Sequence, residues 1–324
     1  MYGRTLAYLN KNLGKVFYGN SNTLYFNIFN SLYKKNIANK NINDQEIYEY
    51  ITKGIVKPKI NSDEVSNYLF NKINDKNSSP SWVAPNKDVG FFKSPPIKNF
   101  IFDEDMKKKI RKYVNVDLDP LLKKLEKYYN NKIVIAMAKI NRIVNLEELL
   151  VEQNQNYYSK INREKIYEAY NNYYHADHYT YTHFKFFLNL KDVDETEGPL
   201  QGYTIKDTPK FIKYSNYKNR TNYNNVDLDC LIKNKGKLGD LTLANVSECI
   251  HRAGIPKKGK HRDILFLHFV ATPDKNVKDY FHYENEFNKS IWERDNELSR
   301  KFAKPPGLRK MLKLYKNLLN NKLS

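Results

Sequence analysis

The chain has 324 residues, 40% hydrophobic and 28% charged, with 12 Gly, 12 Pro, two Cys and a formal net charge of +19. This composition excludes a collagen-like repeat, a disulfide scaffold and a wholly disordered chain, and no run approaches the roughly 20 apolar residues of a membrane-spanning helix. The length suits one large domain or two small ones, and two cysteines (Cys230 and Cys249) suit a reducing compartment.

The opening segment, MYGRTLAYLNKNLGK, lacks the apolar h-region of a signal peptide, and the expectation is a soluble, cytoplasmic, globular protein. The basic balance needs discounting before it names a partner. Lys outnumbers Arg 45 to 10, beside 42 Asn and 26 Tyr, a set of residues with A/T-rich codons. The lysines are scattered among Asp, Glu and Asn, so no dedicated nucleic-acid surface is expected. Attraction to an anionic small molecule is compatible with the charge.

The first 130 residues read as helices and loops. Tyr25, Ile28, Phe29, Leu32 and Tyr33 recur at spacings of three and four, an amphipathic helical pattern. Asn43 or Asp44 caps a second helix that Gly54 stops, and Ser62 precedes Val65, Leu69 and Ile73 in the same manner. Residues 77–98 are a Pro- and Ser-punctuated loop, and Asp119-Pro120 places Asp at an N-cap and Pro at the first helical position. Near residue 132 the pattern changes to strands. Ile133–Ala138 is a compact apolar run. Between Tyr179 and Leu190, Thr180, Thr182, Phe184, Phe186, Leu188 and Leu190 share one face, and Tyr181, His183, Lys185, Phe187 and Asn189 share the other. Leu241–Ala244 and Ile264–Val270 are further strands, and helix returns after about residue 276. The reading is a single domain over 1–324: a mainly β core at 131–275 with flanking helices at 1–130 and 276–324.

The chemistry-bearing residues cluster in the β region. His175 and Asp177 lie two apart, so both point to one side of an extended segment, and His251 follows His175 by 76 residues. Two imidazoles and a carboxylate on a β scaffold form a facial triad for non-haem Fe(II), which leaves adjacent positions open for co-substrate and O₂. Arg262 can pair bidentately with the far carboxylate of a diacid chelating that metal. Taken singly, His175 and His251 read as partly buried, hydrogen-bonded histidines near strand ends.

As an ordered set the residues resemble the phytanoyl-CoA hydroxylase-like group of Fe(II)/2-oxoglutarate dioxygenases. The resemblance rests on His175-Ala176-Asp177, on the stretch FKFFLNLKDVDETEGPLQGY, on His251-Arg252-Ala253-Gly254, and on Arg262 eleven residues after His251. It covers roughly residues 130–275. It implies a double-stranded β-helix, a jelly-roll or cupin-like core, in which His175, Asp177 and His251 hold Fe(II) and Arg262 anchors 2-oxoglutarate. The implied reaction is hydroxylation of an unactivated C–H bond with release of succinate and CO₂. Asp177 stands where halogenating relatives carry a small residue. Ala253 stands where many members carry a Ser that helps hold the keto acid, so either another donor compensates, with Lys185, Tyr181 and Thr182 as the candidates, or Arg262 works alone. The substrate class is small or carrier-linked, and anionic character suits the charge. The rival reading is a non-catalytic β-barrel protein that binds an anionic ligand or nucleic acid.

Overall fold

The computed structural model describes residues 44–78, 80–82, 97–145, 174, 183–208, 229–246, 248–272, 277–282 and 287. All of them lie in one compact unit, Asn41–Asn288. The helix expected around residues 24–33 and those after 287 lie outside the described residues.

Local sequence signals account for most helix ends. Helix α1, Gln45–Lys53, starts at Asp44, whose carboxylate accepts from the Glu46 and Ile47 amides at 3.1 Å, and stops at Gly54 in the left-handed region, φ 76°. Helix α2 spans Asp63–Ile73. Ser62 precedes it as expected but makes no cap, because its hydroxyl bonds to the Tyr113 hydroxyl at 2.6 Å. Helix α3, Glu104–Lys112, is capped by Asp103, which accepts from the Met106 amide at 2.7 Å. A single π-helical turn, Tyr113–Asp117, leads into helix α4, Asp119–Tyr129. Here the expected start shifts by one residue: Leu118 is the cap, and Asp119 and Pro120 are the first two helical residues. The Asp119 carboxylate turns to Tyr280, accepting from its hydroxyl at 2.9 Å. Pro120 tolerates the second position because its absent N–H would have no partner in the first turn.

The strands are β1 (Ile55–Val56), β2 (Ser81–Trp82), β3 (Ile97–Phe100), β4 (Lys132–Val144), β5 (His183–Asn189), β6 (Leu200–Gly202), β7 (Ile232–Asn234), β8 (Leu241–Ala244), β9 (His251–Arg252) and β10 (His261–Thr272). Seven of them form one sheet in the order β1-β8-β5-β10-β4-β3-β2, and three form a second in the order β7-β6-β9; every pairing is antiparallel. From β5 onward the chain passes from the large sheet to the small one at β6 and β7, back at β8, across at β9 and back at β10. This is the winding of a double-stranded β-helix, mainly antiparallel and flanked by helices. No barrel closes among the described strands.

Register divides the large sheet into two unlike faces. On one face Phe184, Phe186, Leu188, Leu241, Leu243, Leu265, Leu267, Phe269, Ala138 and Ile140 are all buried. Helices cover it: Tyr129 of α4 stacks on Phe184 with ring centroids 5.7 Å apart. The opposite face is mixed. Ile97, Ile143 and Ile264 cluster there with Phe187, and Ile55 and Ala244 pack with Cys249, Val246 and Ile205 toward the small sheet. Between these apolar groups stand buried Lys139, Asn141, His183, Asn189, Thr242, Arg262 and His268. With both faces covered, β4 is buried along nearly its whole length, which is why its apolar run reads as continuous. No helix among the described residues is long and apolar enough to cross a membrane.

Candidate functional site

His251 opens β9 opposite Gly202 of β6 and is 7% exposed. Its Nδ1 lies 3.0 Å from the Cys249 carbonyl oxygen. A carbonyl can only accept, so Nδ1 donates; in the neutral ring that leaves the lone pair on Nε2, a tautomer suited to a metal ligand. Cys249 itself is a packing residue, and burial pushes its thiol well up, out of the reactive range.

Tyr174, the residue before His175, is anchored on β6 and on Arg252 of β9, the strand that carries His251. Its hydroxyl donates to Gln201 Oε1 at 3.0 Å, its ring meets Tyr203 edge-on with centroids 5.4 Å apart, and the Arg252 guanidinium lies 4.6 Å from its centroid. Arg252 also donates to Gln201 Oε1, at 2.7 Å. The neighbour of one expected ligand therefore touches the neighbour of another. His175 and Asp177 lie outside the described residues, as do Tyr181 and Thr182. Among the described residues no group of three His, Cys, Asp or Glu is arranged to hold a metal ion.

Arg262 is the most unusual side chain in the described structure. It is 4% exposed, Nη1 donates to the Gly198 carbonyl, and Nε has no partner. Burial draws its pKa down to about 10. A buried cation with one main-chain acceptor is poorly compensated and calls for an anion.

The loop that presents Gly198 explains the DVDETEGP stretch. The Asp192 carboxylate accepts from the Leu238 amide at 2.9 Å and from Lys237 Nζ at 2.8 Å. Val193 and Gly236 exchange both main-chain bonds, at 2.8 and 2.9 Å. Asp194 accepts from the Thr196 amide and hydroxyl, which hold its carboxyl below the usual range, and Glu197 accepts from the Asp194 amide at 3.1 Å. These carboxylates build a loop and are spent on it. At its end Gly198 has φ 68°, and a Cβ on Gly254 would come within 2.2 Å of the Pro199 carbonyl oxygen. The two glycine motifs of the sequence are thus two backbones in contact beneath Arg262.

Lys185 points to the same mixed face, its ammonium 5.2 Å from the Phe266 ring centroid. It stands opposite His268, six residues along β10 from Arg262. At about 3.3 Å per residue the separation is roughly 20 Å, so the structure does not bring Lys185 to Arg262. Sequence reasoning missed His268, which is fully buried with Nε2 3.0 Å from Nδ1 of His183, and it missed Asn141. The available signal was Lys139 and Asn141 interrupting the apolar run of β4 at a spacing of two.

No family model and no curated protein matches the sequence. Solved structures with a similar chain course include the non-heme alpha ketoglutarate dependent epimerase SnoN from nogalamycin biosynthesis, 11% identical over 69% of this chain and 81% of that one, TM-score 0.42. HygX from Streptomyces hygroscopicus, solved with nickel, 2-oxoglutarate and hygromycin B bound, is 12% identical over 71% of this chain and 88% of that one, TM-score 0.44. The non-heme alpha ketoglutarate dependent carbocyclase SnoK from nogalamycin biosynthesis is 10% identical over 72% and 85%, TM-score 0.42.

Proposed function

We propose that the chain is an Fe(II)/2-oxoglutarate-dependent oxygenase that acts on a small or carrier-linked substrate. The observation that carries this reading is Arg262, a buried guanidinium with an orphaned Nε on the inner face of a double-stranded β-helix. The distal carboxylate of a keto diacid supplies the charge and the acceptors that this group lacks. The His251 tautomer, with its lone pair on Nε2, suits a metal ligand. Contact between Tyr174 and Arg252 supports convergence of the His175-Ala176-Asp177 segment with His251.

In this reading His175, Asp177 and His251 hold the iron and Arg262 holds the far end of 2-oxoglutarate. When bound, the pair supplies O₂-dependent oxidation with release of succinate and CO₂, and Asp177 favours hydroxylation over halogenation. The protein's part is positioning. The Cys249 carbonyl keeps His251 in the ligating tautomer, and the Gly198 carbonyl steadies Arg262. His183, Lys185 and His268 give the inner face a lining suited to a polar or anionic substrate.

Purified protein is mixed with Fe(II), and metal content, 2-oxoglutarate binding and succinate formation are measured. The expected result is one bound metal ion and 2-oxoglutarate turnover, both lost in Asp177→Ala and His251→Ala with unchanged circular dichroism. A wild-type protein that binds neither iron nor 2-oxoglutarate overturns the reading in favour of a non-catalytic binding protein.

A further inference from the structure

The keto-acid seat is incomplete if Arg262 works alone, because Ala253 has no hydroxyl to donate. From the register of three strands we infer that Asn141 is the second group on the distal carboxylate of 2-oxoglutarate, donating through its side-chain amide. This inference rests on the proposed function.

Arg262 of β10 stands opposite Ile143 of β4, and Ile264 stands opposite Asn141. Arg262 and Asn141 are therefore diagonal neighbours on one face, with Cα atoms roughly 7–8 Å apart, within reach of a long side chain. Asn99 of β3 stands directly opposite Asn141 on that face. Asn141 is 7% exposed, and its Oδ1 has no partner; the same holds for Oδ1 of Asn99 and Nε of Arg262. Folded proteins rarely leave buried polar atoms unpaired. Two of them, on the diagonal neighbours Arg262 and Asn141, mark a seat for a polar ligand.

A carboxylate accounts for Arg262 and, once the Asn141 amide is turned, for Asn141. It accepts only, and its two oxygens offer about four lone-pair sites. Arg262 Nε–H fills one. Turning the Asn141 amide by 180°, which changes its shape little, puts Nδ2–H where Oδ1 stood, so that it donates to the same carboxylate. A neutral amide is needed at this position. An Asp there would pair with Arg262 itself and repel the ligand.

Isothermal titration of protein loaded with redox-silent Mn(II) tests the assignment. 2-Oxoglutarate is compared with 2-oxobutyrate, a 2-oxo acid without the distal carboxylate, in wild type, Asn141→Leu and Asn141→Asp. The expected result is about tenfold weaker 2-oxoglutarate binding in Asn141→Leu and a loss of 100-fold or more in Asn141→Asp, with 2-oxobutyrate binding unchanged. Asn141→Leu should melt at or above the wild-type temperature, since it removes an orphaned buried atom; a purely structural Asn would lower it. Wild-type affinity for 2-oxoglutarate in both variants overturns the role of Asn141 and leaves the oxygenase reading standing. Failure of wild-type protein to bind either keto acid overturns both.

Discussion

Arg262 concentrates the consequences that a single residue can have. Its cost in the folded chain is set by burial beside one carbonyl, and a bound dicarboxylate relieves it. Replacing Arg262 by Ala should raise the 2-oxoglutarate requirement by about 100-fold, the loss expected for charge-assisted hydrogen bonds of roughly 1.5–3 kcal/mol, while metal content stays at the wild-type level. Arg262→Lys should recover little of this, because an ammonium lacks the planar fork. Steady-state kinetics with 2-oxoglutarate varied, beside metal analysis, checks both variants. Gly254→Ala makes a sharper geometric test. The added methyl meets the Pro199 carbonyl at 2.2 Å and must push the Gly198 loop away from Arg262. The expected outcome is weaker 2-oxoglutarate binding, read by titration, in a chain whose circular dichroism is unchanged.

Elements fail independently of the site. Helix α3 depends on the Asp103 cap, whose bond to the Met106 amide, opposed by partial desolvation, holds the carboxyl below its usual range. Asp103→Ala should cost about 1 kcal/mol and lower the melting temperature by roughly 2–4 °C, with turnover unaffected. The β4–β10 pair carries a heavier fastening. Arg142 donates to both oxygens of Asp263 at 2.8 Å, to Asn74 Oδ1 at 3.1 Å, and lies 5.1 Å from the Phe100 ring centroid. Asp263 is buried on the face opposite its neighbour Arg262, so the strand is clamped from behind at the residue that must be held still. Asp263→Asn, which strips the charge opposite Arg142, should cost about 3 kcal/mol in urea or thermal denaturation.

For the whole molecule the same carboxyl predicts the response to acid. Burial works to raise the Asp263 pKa, but His261 and Arg142 outweigh it and the net shift is downward. A carboxyl held lower in the folded than in the unfolded chain contributes stability above its unfolded pKa of about 3.9 and loses it as pH falls through the folded value. Asp103 shifts in the same direction. Thermal stability from these two groups should therefore be level above about pH 5 and decline below about pH 4. Asp263→Asn should flatten part of that decline, and melting curves at stepped pH read the difference.

The parts of this fold that could be read from the chain are those with short-range causes. Asp44 and Gly54 bound a helix through bonds that span three or four residues. The alternation from His183 to Asn189 follows from strand geometry, so the two faces of β5 were visible before any partner was known. Ser62 and Asp119 were misjudged as caps because Tyr113 and Tyr280 claim their oxygens from 51 and 161 residues away. The HxD and His-x₁₀-Arg spacings pointed to a chemistry, but not to what holds it. Only tertiary register sets Asn141 beside Arg262, since β4 and β10 meet across more than a hundred intervening residues. Only the covering of both sheet faces makes a polar atom there an orphan. Local sequence decides which side of its own strand a residue occupies; the pairing of distant strands decides what that side must face.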